Sequence, residues 1–340
     1  MIAAMSAITI FTSCRNDDTA VAPVNYSGKM TRIELSLSQP EDIVVTRSFF
    51  DDVDAASAWE YSFSCNGLMI FDTNGNNVFQ TNVSAGSGNN TSTVSVPAEL
   101  CGTTCRLYVF ANFMSVPNSI TTEAQLLAYS QVPNSASVYN VTQGDLMFSK
   151  TRSWIPMVGM KDVQIMPYGF KTYVDIELER LMAKIALEVS VADDFSDTHD
   201  GATIVINSAA LTNYANGSYW VYRPGLYYTG LNSTSQTPRV VDKYSQFLWY
   251  SYETGASSNP YILIKGSYYY APGTAPTPVE FTVPVTQTGG GAIERNHYYR
   301  IEAVISGVGE RNLDMAFTAR AWGVPPVDNV DIQQADGSIQ

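Results

Sequence analysis

The segment Thr31-Arg32-Ile33-Glu34-Leu35-Ser36-Leu37-Ser38 alternates polar and apolar residues without a break. Successive side chains of a strand point to opposite faces, so Ile33, Leu35 and Leu37 share one face and demand a core beneath it. The run is followed by the loop 39–46 and then by Arg47-Ser48, a basic residue in a stretch that a protease could reach. A strand at the edge of a sheet, with a cleavable loop behind it, can be removed. A subunit opened in that way can polymerise by taking up a strand from another chain. The layout predicts assembly rather than catalysis.

The same rhythm continues along the chain. Leu68-Met69-Ile70-Phe71 runs into Asp72-Thr73-Asn74-Gly75-Asn76-Asn77 and then Val78-Phe79-Gln80. The Asn-Gly pair between apolar runs predicts a hairpin with a type I′ turn. Arg106 to Asn112 reads as a buried strand, and Thr121 to Tyr129 as a helix capped by Thr121 or Thr122. Two alternating runs, Thr172 to Arg180 and Leu181 to Val191, meet at a polar break. Later strands are expected at Ala202–Ile206, Phe247–Tyr252, Tyr261–Tyr270, Val279–Val285, Tyr298–Ile305 and Leu313–Trp322. Charged residues make up only 15% of the chain and there are 21 tyrosines, a mix that suits strands and polar turns better than helices. Pro and Gly cluster between the strands, and no alternation of strand and helix appears. The fold class predicted is all-β, two antiparallel β-sandwiches in tandem with minor helix. The division expected is 48–168 for the first sandwich, 169–323 for the second and 324–340 for a tail.

Ile2 to Phe11 is an apolar run of signal-peptide length, too short to remain as a spanning helix. It leads to Phe11-Thr12-Ser13-Cys14, where small residues before a cysteine match a bacterial lipobox with Cys14 as the lipid attachment point. Residues 1–14 are therefore read as a lipoprotein signal, and 15–47 as a tether followed by the removable strand. Cys65, Cys101 and Cys105 remain after Cys14. In an exported chain two of these can form a disulfide, across Cys101-Gly102-Thr103-Thr104-Cys105 or to Cys65, or all three can stay as core thiols.

Net charge is −13, which repels a polyanion and excludes nucleic acid as a partner. No GxSxG, HExxH, P-loop or CxxC pattern is present, and there are only two histidines. His199 sits in the acidic loop 193–200 and reads as a solvated turn, since the spacing lacks an EF-hand pattern of oxygen ligands. His297 opens a strand. The reading is no enzyme, no metal and no cofactor. Tyr219, Trp220, Tyr222, Tyr227 and Tyr228, with Tyr268, Tyr269 and Tyr270, are assigned to core or subunit packing, with stacking on sugar faces as the sharper alternative.

Taken in order, several of these pieces resemble the fimbrillins, the FimA/Mfa-like subunits of the type V pili of Bacteroidales. They are the alternating strand with Arg47, the Leu68–Phe71 hairpin, Leu107-Tyr108-Val109-Phe110-Ala111-Asn112 and Ile155-Pro156-Met157-Val158-Gly159. Leu178 to Ile185, Ile293-Glu294-Arg295-Asn296-His297-Tyr298-Tyr299, Ile305-Ser306-Gly307 and Trp322 complete the set. The resemblance implies two transthyretin-like sandwiches, export as an outer-membrane lipoprotein, and a cut between Arg47 and Ser48 by an Arg-specific surface protease. It implies other copies or related fimbrial subunits as partners, and adhesion as the outcome. The donor strand it suggests is the tail, with Val327, Val330 and Ile332. The alternative is a permanently anchored lipoprotein that binds glycans or proteins, or an anchor or tip subunit.

Overall fold

The computed structural model describes residues 26–38, 63–113, 116–131, 155–215, 217–232, 239–242, 245–286, 291–308 and 313–321. Strands dominate the described chain, and its two α-helices are short.

The first unit contains β1 (Met30–Ser38), β2 (Cys65–Asp72), β3 (Asn77–Thr81), β4 (Thr91–Pro97) and β5 (Thr104–Ala111). It continues through α1 (Glu123–Ala128), β6 (Ser130–Gln131), β7 (Met157–Gln164), β8 (Lys171–Glu177) and β9 (Glu179–Arg180). A three-stranded sheet in the order β4-β1-β8 packs on a five-stranded sheet in the order β3-β2-β5-β7-β9. The approach is close: a Cβ on Gly159 would run into the Ile176 side chain and the Glu177 carbonyl, so only glycine fits there. The opposite face of β5 is covered by α1. Thr122 and Gln125 cap that helix reciprocally. Its Glu123 carboxylate accepts from Arg106 Nη1 at 3.0 Å and from the Tyr108 hydroxyl at 2.6 Å, which pins the helix to the sheet.

The second unit runs through β10 (Met182–Val191), α2 (Phe195–Thr198), β11 (Thr203–Thr212), β12 (Tyr214–Ala215) and β13 (Ser218–Tyr219). It continues with β14 (Leu231–Asn232), β15 (Arg239–Asp242), β16 (Gln246–Tyr252), β17 (Tyr261–Tyr269), β18 (Thr277–Pro284), β19 (His297–Ile305) and β20 (Leu313–Ala321). The larger sheet has the path β14-β12-β16-β10-β19-β20, with β15 also on β16, and a second sheet has the order β11-β17-β18. Ile185, Leu187, Trp249 and Ile301 face Ile204, Leu211, Ile262 and Phe281 across the second core. The other face of the larger sheet is also apolar: Ala186, Leu248, Tyr250 and Tyr298 join the first unit's core. That double burial explains why β10 reads as nearly continuous apolar sequence.

Three sequence expectations change. The strand at 171–177, expected to open the second sandwich, is the parallel neighbour of β1, and Val174, Ile176, Leu178 and Leu181 lie in the first core. The change of core falls at β10 instead, because the turn at 167–170 only reverses the chain within the first unit. The hairpin between β2 and β3 forms, but its turn is not type I′. Gly75 has a positive φ of 78° whereas Asn74 does not, because the Asp72 carboxylate accepts from the backbone amides of Asn74 and Asn76, each at 2.8 Å, and winds the loop around itself. Third, β1 is not an edge strand. It is the middle strand of its sheet.

Candidate functional site

The alternation of β1 is answered residue by residue. Ile33 is 0% exposed, and Leu35 and Leu37 are each 1% exposed, while Arg32 and Ser38 face solvent. On one side β1 pairs antiparallel with β4, with Ile33 opposite Val94 and Leu35 opposite Ser92. On the other it pairs in parallel with β8, with Ile33 opposite Thr172, Leu35 opposite Val174 and Leu37 opposite Ile176. Both ends are clipped: Ala98 N donates to the Lys29 carbonyl at 3.0 Å, and Leu178 N donates to the Ser38 carbonyl at 2.7 Å. On the outer face Lys171 Nζ meets Glu34 Oε1 at 2.6 Å, and this exposed pair adds little.

Withdrawing β1 would leave a trough between β4 and β8, floored by the first core and walled by two rows of unsatisfied backbone groups. Three buried aliphatic side chains are worth about 5–9 kcal/mol of apolar burial. The lost ladders on both sides add unpaired donors and acceptors, each costly when shielded from water. Such a trough can be filled only by another extended segment with apolar residues at every second position.

The other sequence-derived positions fall in two groups. Cys14, Arg47, Ser48, Val327, Val330 and Ile332 lie outside the described residues, as does Trp322. The three remaining cysteines are free thiols. Cys65 pairs with Ala111 in register and Cys105 with Asp72, so these two stand at opposite ends of the β2–β5 ladder, beyond the reach of a disulfide. Burial pushes the Cys65 thiol up to about 12, and an amide hydrogen bond at Asn66 opposes it only weakly. Among the described residues no group of three His, Cys, Asp or Glu side chains gathers as a metal site. His199 stacks on Phe195 with ring centroids 4.3 Å apart. Also among the described residues, no helix is long and apolar enough to cross a membrane.

The aromatic run at 219–228 divides. Trp220 is 2% exposed and sits in the first unit's core, its ring 4.4 Å from Phe113 and 4.6 Å from Tyr129, whereas Tyr222 is 46% exposed. The segment reaches across because β13 pairs with β6 and Trp220 N donates to the Tyr129 carbonyl at 3.1 Å. It is held there by a buried ion pair that the sequence reading did not single out. Arg295 Nε donates to Glu253 Oε2 at 2.8 Å, and Nη2 donates to Glu253 Oε1, to Ser218 Oγ at 2.8 Å and to the Tyr219 carbonyl at 2.8 Å. One signal was available: Glu253 directly follows the apolar run Phe247–Tyr252, a place where a carboxylate needs a partner. A cleft of about 580 Å³ lies at this junction, beside Ser38 and walled by Glu177, Glu179, Tyr222 and Arg295. Partial desolvation there raises the Glu179 carboxyl, with Arg295 opposing and Glu177 reinforcing.

An all-β chain of two cores, with its first strand buried as the middle of a sheet, has the fold of Bacteroidales fimbrial proteins. Its fold matches that of a fimbrilin (FimA) from Porphyromonas gingivalis, with a TM-score of 0.54 and 15% identity over 86% of this chain and 97% of the other. The tip fimbrial protein Mfa3 from the same organism, with a C-terminal truncation, gives 0.52 and 14% over 86% and 100%. A protein from Bacteroides eggerthii assigned to cell adhesion gives 0.57 and 16% over 87% and 97%. No family model matches the sequence, and no curated protein matches it.

Proposed function

We propose that this chain is a structural, non-catalytic subunit of a cell-surface fimbria. It is exported as a lipoprotein acylated at Cys14, held at the outer membrane, and cut between Arg47 and Ser48 by an Arg-specific surface protease. The observation that carries this reading is the position of β1: a strand fully buried along one face and hydrogen-bonded on both edges, with Arg47 following it in the sequence. A permanent binding module gains nothing from that arrangement. A polymerising subunit gains a trough that stays closed until a strand from a neighbour replaces β1. The likeness of the fold to fimbrial proteins supports the same reading. The donor we assign is the tail 324–340, through Val327, Val330 and Ile332. Pro325 and Pro326 keep the start of the tail out of regular pairing.

The test is the intact mass of the protein sheared from its native cell surface. A species beginning at Ser48 supports a processed, polymerised subunit. An acylated species beginning at Cys14 would replace that reading with a permanently anchored subunit. Deleting the tail after Trp322 should block elongation, and undiminished polymer would show that the donor lies elsewhere.

A further inference from the structure

We infer that two adjoining turns at one end of the first unit form a bilayer contact, used while the chain is still held by its N-terminus. The inference rests on the lipoprotein part of the proposed function. Because β1 and β8 are parallel, the turns that lead into them lie side by side. The first turn is closed by Lys29 N donating to the Tyr26 carbonyl at 2.8 Å, and the second by Phe170 N donating to the Pro167 carbonyl at 3.1 Å. They touch: the Tyr26 and Tyr168 rings are 5.6 Å apart, and Lys29 Nζ lies 5.5 Å from the centre of the Tyr168 ring.

What they present to solvent is apolar. Met30 is 49% exposed, Met166 42%, Tyr168 44% and Phe170 64%, four of the large hydrophobic side chains most open to solvent. A soluble surface seldom gathers so many in one place without a partner. Aromatic rings with a polar tip and lysines with an apolar stem are the side chains that settle at the boundary between lipid and water. Lys29 and Arg32, both exposed, give this end a basic rim on a chain of net charge −13, which suits anionic headgroups.

The occupant is fixed by where the chain leads. Tyr26 belongs to the patch, and residues 15–25 are all that separate it from Cys14. Fully extended, such a segment spans about 40 Å at most. A lipid on Cys14 therefore keeps this end of the molecule within about 40 Å of the bilayer, close enough for the two turns to reach its surface. Once the proposed cut after Arg47 is followed by displacement of β1, Tyr26, Lys29 and Met30 leave together with the acylated Cys14. Strand replacement, not the cut alone, then dissolves both halves of the membrane attachment at once.

The experiment uses the full chain purified from the cell envelope and reconstituted into phosphatidylethanolamine and phosphatidylglycerol vesicles doped with a diazirine phospholipid. After illumination, crosslinks are mapped by mass spectrometry. Lipid adducts should fall on peptides carrying Tyr26–Met30 and Met166–Phe170. The double variant Tyr168→Ser, Phe170→Ser should lower them at least about tenfold, the change expected from withdrawing even one of its two aromatic side chains from an apolar phase, with an unaltered melting curve. An acylated chain whose adducts avoid both turns overturns the bilayer contact alone. So do crosslinks from the patch to a second copy of the protein, which would make it a subunit interface. A chain carrying no acyl group at Cys14 overturns the lipoprotein reading, and the contact with it.

Discussion

Arg295 and Glu253 form a two-point ion pair that solvent scarcely reaches, with side chains only 5% and 1% exposed. The same guanidinium gathers the carbonyl of Tyr219 and the hydroxyl of Ser218, so it fixes the segment that carries Trp220 into the other unit's core. Removing one partner leaves a charge in a dry place. Arg295→Met should cost about 3–5 kcal/mol in urea unfolding, and the double variant with Glu253→Leu should recover part of that loss. A double-variant loss equal to the sum of the Arg295→Met and Glu253→Leu losses would show that the pair has no coupling.

Leu35 is the middle of the three side chains that fill the trough. Leu35→Ala should destabilise the uncut chain by about 2–5 kcal/mol, a cavity cost at a site walled on both sides by paired strands. Ser36→Ala, on the outer face, should change little. Chemical denaturation of the two variants side by side is sufficient to compare them.

Cleavage alone should not open the trough. A middle strand with ladders on both edges and clips at both ends stays in place after the covalent link at Arg47 is cut. Size exclusion of the cut protein should therefore return the fragment ending at Arg47 together with the body. It should leave only when a displacing peptide is supplied. Immediate loss of the fragment on cutting would contradict this.

Thiol reactivity should separate the cysteines. Native alkylation near pH 8 should label Cys101, which is partly exposed, and leave Cys65 and Cys105 until the chain is unfolded. Burial holds the Cys105 thiol above its usual range, with a Thr103 hydrogen bond opposing and Asp72 adding to the rise. Peptide mapping after labelling decides it.

Alkali should weaken the fold. Burial lifts Cys65 and Tyr299 each to about 12, from 9.0 and 10.0, and raises Tyr252 as well. A folded-state value above the unfolded one means the unfolded chain releases its proton first, so stability is whole below about pH 9 and falls as pH climbs toward 12. Unfolding midpoints between pH 8 and pH 11 should decrease steadily. Tyr252→Phe should reduce the slope.

Much of this architecture could be read along the chain. The period of two in β1 identified which of its side chains would be buried, and the helix expected over Thr121 to Tyr129 forms as α1 with Thr122, one of its two candidate caps, at its start. What could not be read was who pairs with whom. The neighbours of β1 come from residues 91–97 and 171–177, and nothing local distinguishes a middle strand from an edge when both alternate. The same blindness moved β8 to the wrong unit. The turn at Asn74-Gly75 was misjudged because the Asp72 side chain competes for the backbone amides. Trp220 looked like one aromatic among several until β13 was seen to pair with β6.

The geometry of β1 also sets how its trough bears load. Hydrogen bonds on both edges lie across the strand, so a pull along the strand stresses the whole set together, while a pull at right angles would peel them one pair at a time. Whatever segment occupies that trough is gripped in shear. Fibres drawn taut by flowing liquid would hold best in that loading direction, and a joint of this kind yields by breaking all at once rather than by creeping.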